Sequence, residues 1–281
     1  MPKVKVSDVE LYYEETGTGF PMIFCHEFAG DYRSWEQQVR HFGRRYRVIT
    51  YNYRGYTPSD VPLDPAAYSQ EILISDMRSL LNRLSIEQAH VVGIATGGNL
   101  ALNFAIAHPE RTKSAIVAGA GAGTSDRERW LAAGRDMADN IAKEGAAAIV
   151  KSIEKAPQRH ALLSKDPRAW AEFIDIIRQL SPEGAERSMR GVLLGRKPVS
   201  DLVEGIKNLT MPVLVMVGDQ DAPAWEASLL VHRHARHCGL AVFPFTGHTL
   251  PVEEPELFNR LADQFLAAVD NGRWGSWKAA A

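Results

Sequence analysis

The run Val91-Val92-Gly93-Ile94-Ala95-Thr96-Gly97-Gly98 constrains this chain more than any other segment. An apolar stretch meeting small residues on both sides of one central position has the layout of a buried strand that turns sharply into a helix. Glycine flanks let the two backbones pass closely, and the turn lifts the central side chain clear. In a G-x-S-x-G arrangement that side chain is a nucleophilic serine. Here it is Ala95, and a methyl group neither attacks a carbonyl nor is activated by a base.

The remaining sequence repeats the same strand-then-helix rhythm, the pattern of a mostly parallel sheet covered by helices. Apolar runs predict buried strands over 22–25, 48–51, 90–92, 114–118, 213–217 and 241–245, preceded by an antiparallel pair over 4–6 and 9–15. Apolar residues at helical spacing follow: Trp35, Val39 and Phe42; Leu73, Met77, Leu80, Leu81 and Leu84; Leu257, Leu261 and Phe265. Such stripes are core faces. The interval 124–203 breaks the rhythm, with helical stretches over 126–141, 145–155, 166–180 and 181–194 and no convincing strand. Asp166-Pro167 and Ser181-Pro182 each offer an N-cap followed by proline at the first helical position. The predicted organisation is one core made of 1–123 and 204–281, with 124–203 inserted as a helical cap.

Composition narrows the partners. A net charge of -2 on 281 residues gives no attraction to nucleic acid or to an anionic membrane, so small molecules are the expected ligands. No 18-residue apolar run occurs, and the start Met1-Pro2-Lys3-Val4-Lys5-Val6 lacks the apolar stretch of a signal peptide, which predicts a soluble cytoplasmic protein. Cys25 and Cys238 are expected as reduced thiols. The terminal Ala279-Ala280-Ala281 is read as a cloning remnant without a role. The sequence leaves the oligomeric state open.

The motifs fall in a telling order. His26-Glu27-Phe28-Ala29-Gly30 follows the first buried strand, Asn52-Tyr53-Arg54-Gly55-Tyr56 the second, and the glycine-flanked turn the third; Gly218-Asp219-Gln220-Asp221 and Gly247-His248-Thr249 follow the last two. In this order they resemble the α/β-hydrolase superfamily, in particular its capped esterases, enol-lactonases and carbon-carbon bond hydrolases, from about residue 10 to 268. The resemblance implies an eight-stranded, mostly parallel sheet flanked by helices. It places the nucleophile at Ala95, the acid at Asp221 and the base at His248. It also implies an oxyanion hole from the backbone N–H groups of Phe28 and Thr96, and no metal or organic cofactor. Asp219, two residues before Asp221, is the rival acid. The family's His-Gly-x motif has Glu27 in place of its glycine, an anion where an oxyanion must form, and a role for it as an acid or in binding a cation stays open. His26, Glu27, Trp130 and Trp170 are expected in the substrate pocket, with Phe173 beside them. Arg54, Arg190 and Arg196 are candidates to meet a substrate carboxylate.

Two suggestive patterns are set aside. His232, His234 and His237 cannot converge on one metal ion, because helical neighbours two apart face nearly opposite ways. The run from Gly119 to Gly123 lacks the Lys-Ser/Thr of a phosphate loop and is read as a flexible lead into the cap. For Ala95 the retained Asp221 and His248 favour replacement of a serine, which would leave an inactive hydrolase of an ester, lactone or related acyl bond. Two other readings remain: a naturally serine-less oxygenase or lyase using the His248/Asp221 dyad as general base, and a non-catalytic small-molecule receptor.

Overall fold

The computed structural model describes residues 2–275. The Ala279-Ala280-Ala281 end lies outside the described residues. Eight strands, β1 (Lys3–Val6), β2 (Val9–Thr16), β3 (Pro21–Cys25), β4 (Arg47–Tyr51), β5 (Ala89–Ile94), β6 (Thr112–Ala118), β7 (Val213–Gly218) and β8 (Cys238–Phe243), form one sheet in the order β1-β2-β4-β3-β5-β6-β7-β8. β2 runs antiparallel to β1 and β4, and every later pairing is parallel. This is the eight-stranded, mostly parallel sheet that the motif order implied.

The central strands are buried on both sides, which is why they read as unbroken apolar runs. Their side chains alternate between two cores. Met22 and Phe24 of β3 join Val92 of β5, Met216 of β7 and Phe258, while Ile23 and Cys25 join Val91, Met77 and Leu100 on the opposite face. The helices that cover the sheet are α1 (Glu36–Phe42), α2 (Gln70–Arg83) and α3 (Thr96–Ala107). Between β6 and β7 come α4 (Arg127–Glu144), α5 (Ala146–Lys155), α6 (His160–Lys165), α7 (Pro167–Arg178), α8 (Pro182–Arg187) and α9 (Val203–Lys207). After β7 follow α10 (Ala222–His234), α11 (Leu250–Glu253) and α12 (Pro255–Asp270).

The interval 124–203 forms no strand, and the side chains of Asp166 and Ser181 cap α7 and α8 with proline at the first helical position. Three expectations change. The strand expected over 241–245 is Cys238–Phe243, because this edge strand pairs only with β7 and takes its register from Val213 opposite Cys238. Phe245 lies beyond it at φ 53 and is 70% exposed. The helix expected over 181–194 is interrupted: α8 ends at Arg187, and Ser188–Leu194 forms a π-helix. Such irregular helix is often found at functional sites. Between α5 and α7, a single-turn 3-10 helix at Pro157–Arg159 and α6 were not anticipated. Cys25 and Cys238 are both buried and form no disulfide with each other. Among the described residues no helix is long and apolar enough to cross a membrane.

Candidate active site

β5 ends at Ile94, α3 begins at Thr96, and Ala95 alone makes the turn, with φ 54 and ψ -110. A side chain other than glycine at such a dihedral costs on the order of 1–3 kcal/mol, a strain retained only where the surroundings dictate it. The surroundings here are backbone. A Cβ on Gly97 would stand 1.9 Å from the carbonyl oxygen of Cys25, and one on Gly93 would stand 2.0 Å from that of Gly97. The glycines expected to permit the turn are therefore required by β3 and α3 pressing on it.

Ala95 faces a cavity of about 260 Å³, the scale of a small organic molecule. Its floor comes from the C-terminal ends of the strands, through Phe28, Thr96, Gly119 and His248. Its roof comes from the helical segment, through Met137, Ile149, Ile153, Met189 and Leu193. Among the described residues no group of three or more His, Cys, Asp or Glu side chains is placed to hold a metal ion.

His248 and Asp221 meet across the cavity floor. His248 Nδ1 donates to Asp221 Oδ2 at 2.6 Å, and Asp221 is fully buried at the start of α10. That bond fixes the imidazole tautomer and leaves Nε2, on the far side of the ring, for proton transfer. The rival Asp219 is occupied elsewhere. Its two oxygens accept the backbone N–H groups of Phe245 (2.8 Å) and Thr246 (3.1 Å), and these bonds hold its carboxyl below the usual range.

Both residues expected at the oxyanion hole line the cavity. Thr96 occupies the first position of α3, where a backbone N–H has no intrahelical acceptor. The Phe28 carbonyl accepts Tyr56 Oη at 3.1 Å, which anchors the loop after β3.

Glu27 lies in the same cavity but is not a free anion. Arg159, in the 3-10 helix Pro157–Arg159, grips both its carboxylate oxygens, with Nη1 on Oε1 at 3.1 Å and Nη2 on Oε2. Burial alone would push the Glu27 carboxyl up, and the Arg159 charge and hydrogen bonds override it, so Glu27 is held below its ordinary range. The possible cation for Glu27 is thus supplied by this chain. Arg159 Nη1 also donates to Thr249 Oγ1 at 2.9 Å, and the His248 backbone N–H donates to the Gln158 carbonyl at 2.8 Å. Gln158 and Arg159 therefore tie the helical segment to the loops of Glu27 and His248 at once. The sequence carried a hint of this, since a buried carboxylate demands a cation, but nothing in the chain order singles out Arg159 among its basic residues.

Several expectations about the pocket fail. His26 is fully buried beneath it: Nδ1 donates to the Glu27 carbonyl at 2.7 Å, Nε2 accepts from the Tyr53 N–H at 3.4 Å, and the ring stacks on Tyr53. Burial pushes the His26 imidazole down to about 4, so it stays neutral and structural. Trp170 packs against Phe173 away from the cavity, and Phe173 carries Arg159 over its ring at 5.3 Å. Arg54 is bound to Asp76 and Asp8, and Arg190 to Glu186 and Asp139 on the surface, so neither is available to a substrate. Trp130 and Arg196 do line the cavity. The Gly119–Gly123 run is a turn in which Gly119 and Gly121 line the wall and Gly123 lies against the Trp130 ring.

A strained turn at the end of a central strand, a buried acid-base pair on later loops and a helical roof over the strand ends define an α/β-hydrolase site. The chain belongs to the alpha/beta hydrolase fold family, which it matches over residues 21–231. It is 28% identical over 264 residues to 3-oxoadipate enol-lactonase 2 of Acinetobacter baylyi, covering 92% of this chain and 94% of that protein. Among solved structures it is similar to a thermophilic esterase from Thermogutta terrifontis, with TM-score 0.85, 26% identity, and 96% and 99% of the two chains covered. The enol-lactonase from Burkholderia xenovorans LB400 shares the fold, with TM-score 0.84, 21% identity, and 95% and 100% covered.

Proposed function

We propose that this site is built to hydrolyse an ester, lactone or related acyl bond of a small organic molecule, with position 95 as the nucleophile position of a Ser-His-Asp triad. Residues 124–203 act as the cap, over a catalytic core of 1–123 and 204–281. The observation that carries the reading is the backbone of Ala95. It holds φ 54 and ψ -110 beside an intact His248–Asp221 pair, a strained turn that presents the side chain at this position to the cavity. The 26%-identical esterase and the 28%-identical enol-lactonase support the same class of chemistry.

With serine at position 95, Oγ attacks the acyl carbon while its proton passes to His248 Nε2, and Asp221 steadies the imidazolium. The N–H groups of Phe28 and Thr96 receive the carbonyl oxygen as it takes on charge. The tetrahedral intermediate expels the alcohol or enol, which takes the proton from His248. Water, deprotonated by the same imidazole, then releases the acid and restores the serine. No step calls on a metal or organic cofactor. With Ala95 there is no Oγ, and the chain keeps its binding site while losing covalent turnover by about a millionfold, the scale seen on removing a protease nucleophile.

The test compares the Ala95 chain with Ala95→Ser on short p-nitrophenyl esters, with a fluorophosphonate label reporting nucleophilicity independently of substrate. Labelling and turnover only with serine support acyl transfer. A serine form that neither labels nor turns over overturns the reading, and proton abstraction by the His248/Asp221 dyad or ligand binding without chemistry takes its place.

A further inference from the structure

Arg196 lines the cavity at its roof, only 5% exposed, and has no anion beside it. Nη2 donates to the Ala122 carbonyl at 3.3 Å, and the buried Nη1 has no hydrogen-bond partner. The guanidinium lies 5.5 Å from the Trp130 ring centre, with that of Arg127 at 5.2 Å from the same ring. Arg127 Nη2 donates to the carbonyls of Leu194 (3.0 Å) and Arg196 (2.6 Å); its Nη1 is likewise buried without a hydrogen-bond partner, but Arg196 and not Arg127 lines the cavity. Among the described residues neither cation has a carboxylate within 4.0 Å, whereas Arg54, Arg159 and Arg190 are all paired.

A buried charge without a counter-charge is unfavourable unless something answers it. Burial, with the Arg127 charge added, brings Arg196 down to about 10, so it remains a cation at neutral pH. Ala95 and His248 share the cavity with it, and much of the wall between is apolar, including Met137, Ile149 and Leu193. Among the described residues lining the cavity the one anion, Glu27, is already held in both oxygens by Arg159.

We propose that Arg196 is the specificity determinant of the site, binding a free carboxylate on the substrate, so that the preferred acyl compound is a half-ester or lactone of a small dicarboxylic acid. The guanidinium supplies charge-assisted hydrogen bonds that a neutral isostere cannot use. Trp130 packs against the guanidinium, and the small volume limits the acid to a few carbons. This rests on the acyl-transfer reading for the bond broken, but not for the anion bound.

Binding is therefore measured first on the unaltered chain, which cannot turn substrate over. Glutarate titrated calorimetrically at low ionic strength is expected to saturate. Its affinity should fall about 10- to 100-fold in Arg196→Met, less in Arg196→Lys, and not at all in Arg190→Gln. Thermal melts show that each variant is folded, and the lysine variant keeps the test open if the methionine variant is not. In the Ala95→Ser background, the ratio of kcat/KM for p-nitrophenyl hemiglutarate over p-nitrophenyl pentanoate should exceed one and collapse by about tenfold or more on Arg196→Met. No glutarate binding, or binding indifferent to residue 196, overturns the proposal, and if the pentanoate ester is still hydrolysed the acyl-transfer reading survives it. Glutarate binding that depends on Arg196, in a chain whose serine form hydrolyses neither ester, sustains the anion site and refutes the acyl-transfer reading alone.

Discussion

Arg159 holds Glu27 by both carboxylate oxygens across the gap between the helical segment and the loop after β3. Both side chains are buried, and the same guanidinium reaches Thr249, the neighbour of His248. A free carboxylate beside the proposed oxyanion hole would oppose the charge that forms there. Paired in this way it becomes a fixed dipole that anchors the roof to the floor.

Breaking that pair from one side should be far costlier than removing it whole. Arg159→Met leaves a buried, unpaired Glu27 and is expected to lose about 3–5 kcal/mol of stability. The double variant Glu27→Gln/Arg159→Met should recover most of this. Denaturant unfolding of the two singles and the double gives the coupling energy, and simple additivity would refute the pairing as described.

The two acids after β7 have separable roles. In the Ala95→Ser background, Asp221→Asn should cut kcat by about 10⁴ with the fold intact, because the imidazole loses its orienting partner. Asp219→Asn should instead cost about 1 kcal/mol of stability through its weakened bonds to the Phe245 and Thr246 N–H groups, with kcat little changed. Ester kinetics paired with melts would expose a reversed assignment.

Acid should destabilise the fold through its buried histidines. Burial holds His26 down at about 4 when folded, against 6.5 for the free side chain, and His90 is lowered to about 4 by the same cause. Between those values the unfolded chain binds more protons, so stability is full above about 6.5 and falls as pH drops toward 4. Each histidine contributes a slope of about 1.4 kcal/mol per pH unit. His26→Gln should shallow the dependence by about one proton, measured as urea midpoints across this range, and an unaltered slope would show that His26 is not the group titrating.

Gly97→Ala tests whether the turn at Ala95 is imposed by packing. The added methyl would fall 1.9 Å from the Cys25 carbonyl oxygen, which only movement of α3 against β3 can relieve. A loss of about 3 kcal/mol or more is expected, with the soluble yield falling. Wild-type stability in this variant would contradict the close approach.

Arg196→Met should be neutral or stabilising by about 1–2 kcal/mol, because it removes a buried cation that no anion answers. A clear loss of stability would mean that Arg196 serves the fold.

Sequence alone fixed the sheet and the order of its functional loops. Strands buried on both faces must be continuous apolar runs, and a turn as tight as that at Ala95 must be flanked by glycine. These are local consequences of backbone geometry and desolvation, so Val91, Gly93 and Gly97 announce them without help from the rest of the chain. The place of His248 and Asp221 was legible for the same reason, each following directly on a strand or its turn. Edge strand β8 was misplaced by three residues at its start because its limits come from pairing with β7, which hydrophobicity does not encode.

The packing of the helical segment and the pocket beneath it were decided only by the tertiary structure. Side chains on separate helices become neighbours through packing, so Arg159 meets Glu27 from 132 residues away, Trp170 turns from the cavity while Trp130 faces it, and His26 sinks beneath the floor. Charges behave likewise. Arg54, Arg190 and Arg196 look alike in a sequence, and only the three-dimensional arrangement determines that the first two are matched by carboxylates while the third, among the described residues, has none within 4.0 Å, because a charge is paired by what lies within a few ångströms and not by what adjoins it in the chain.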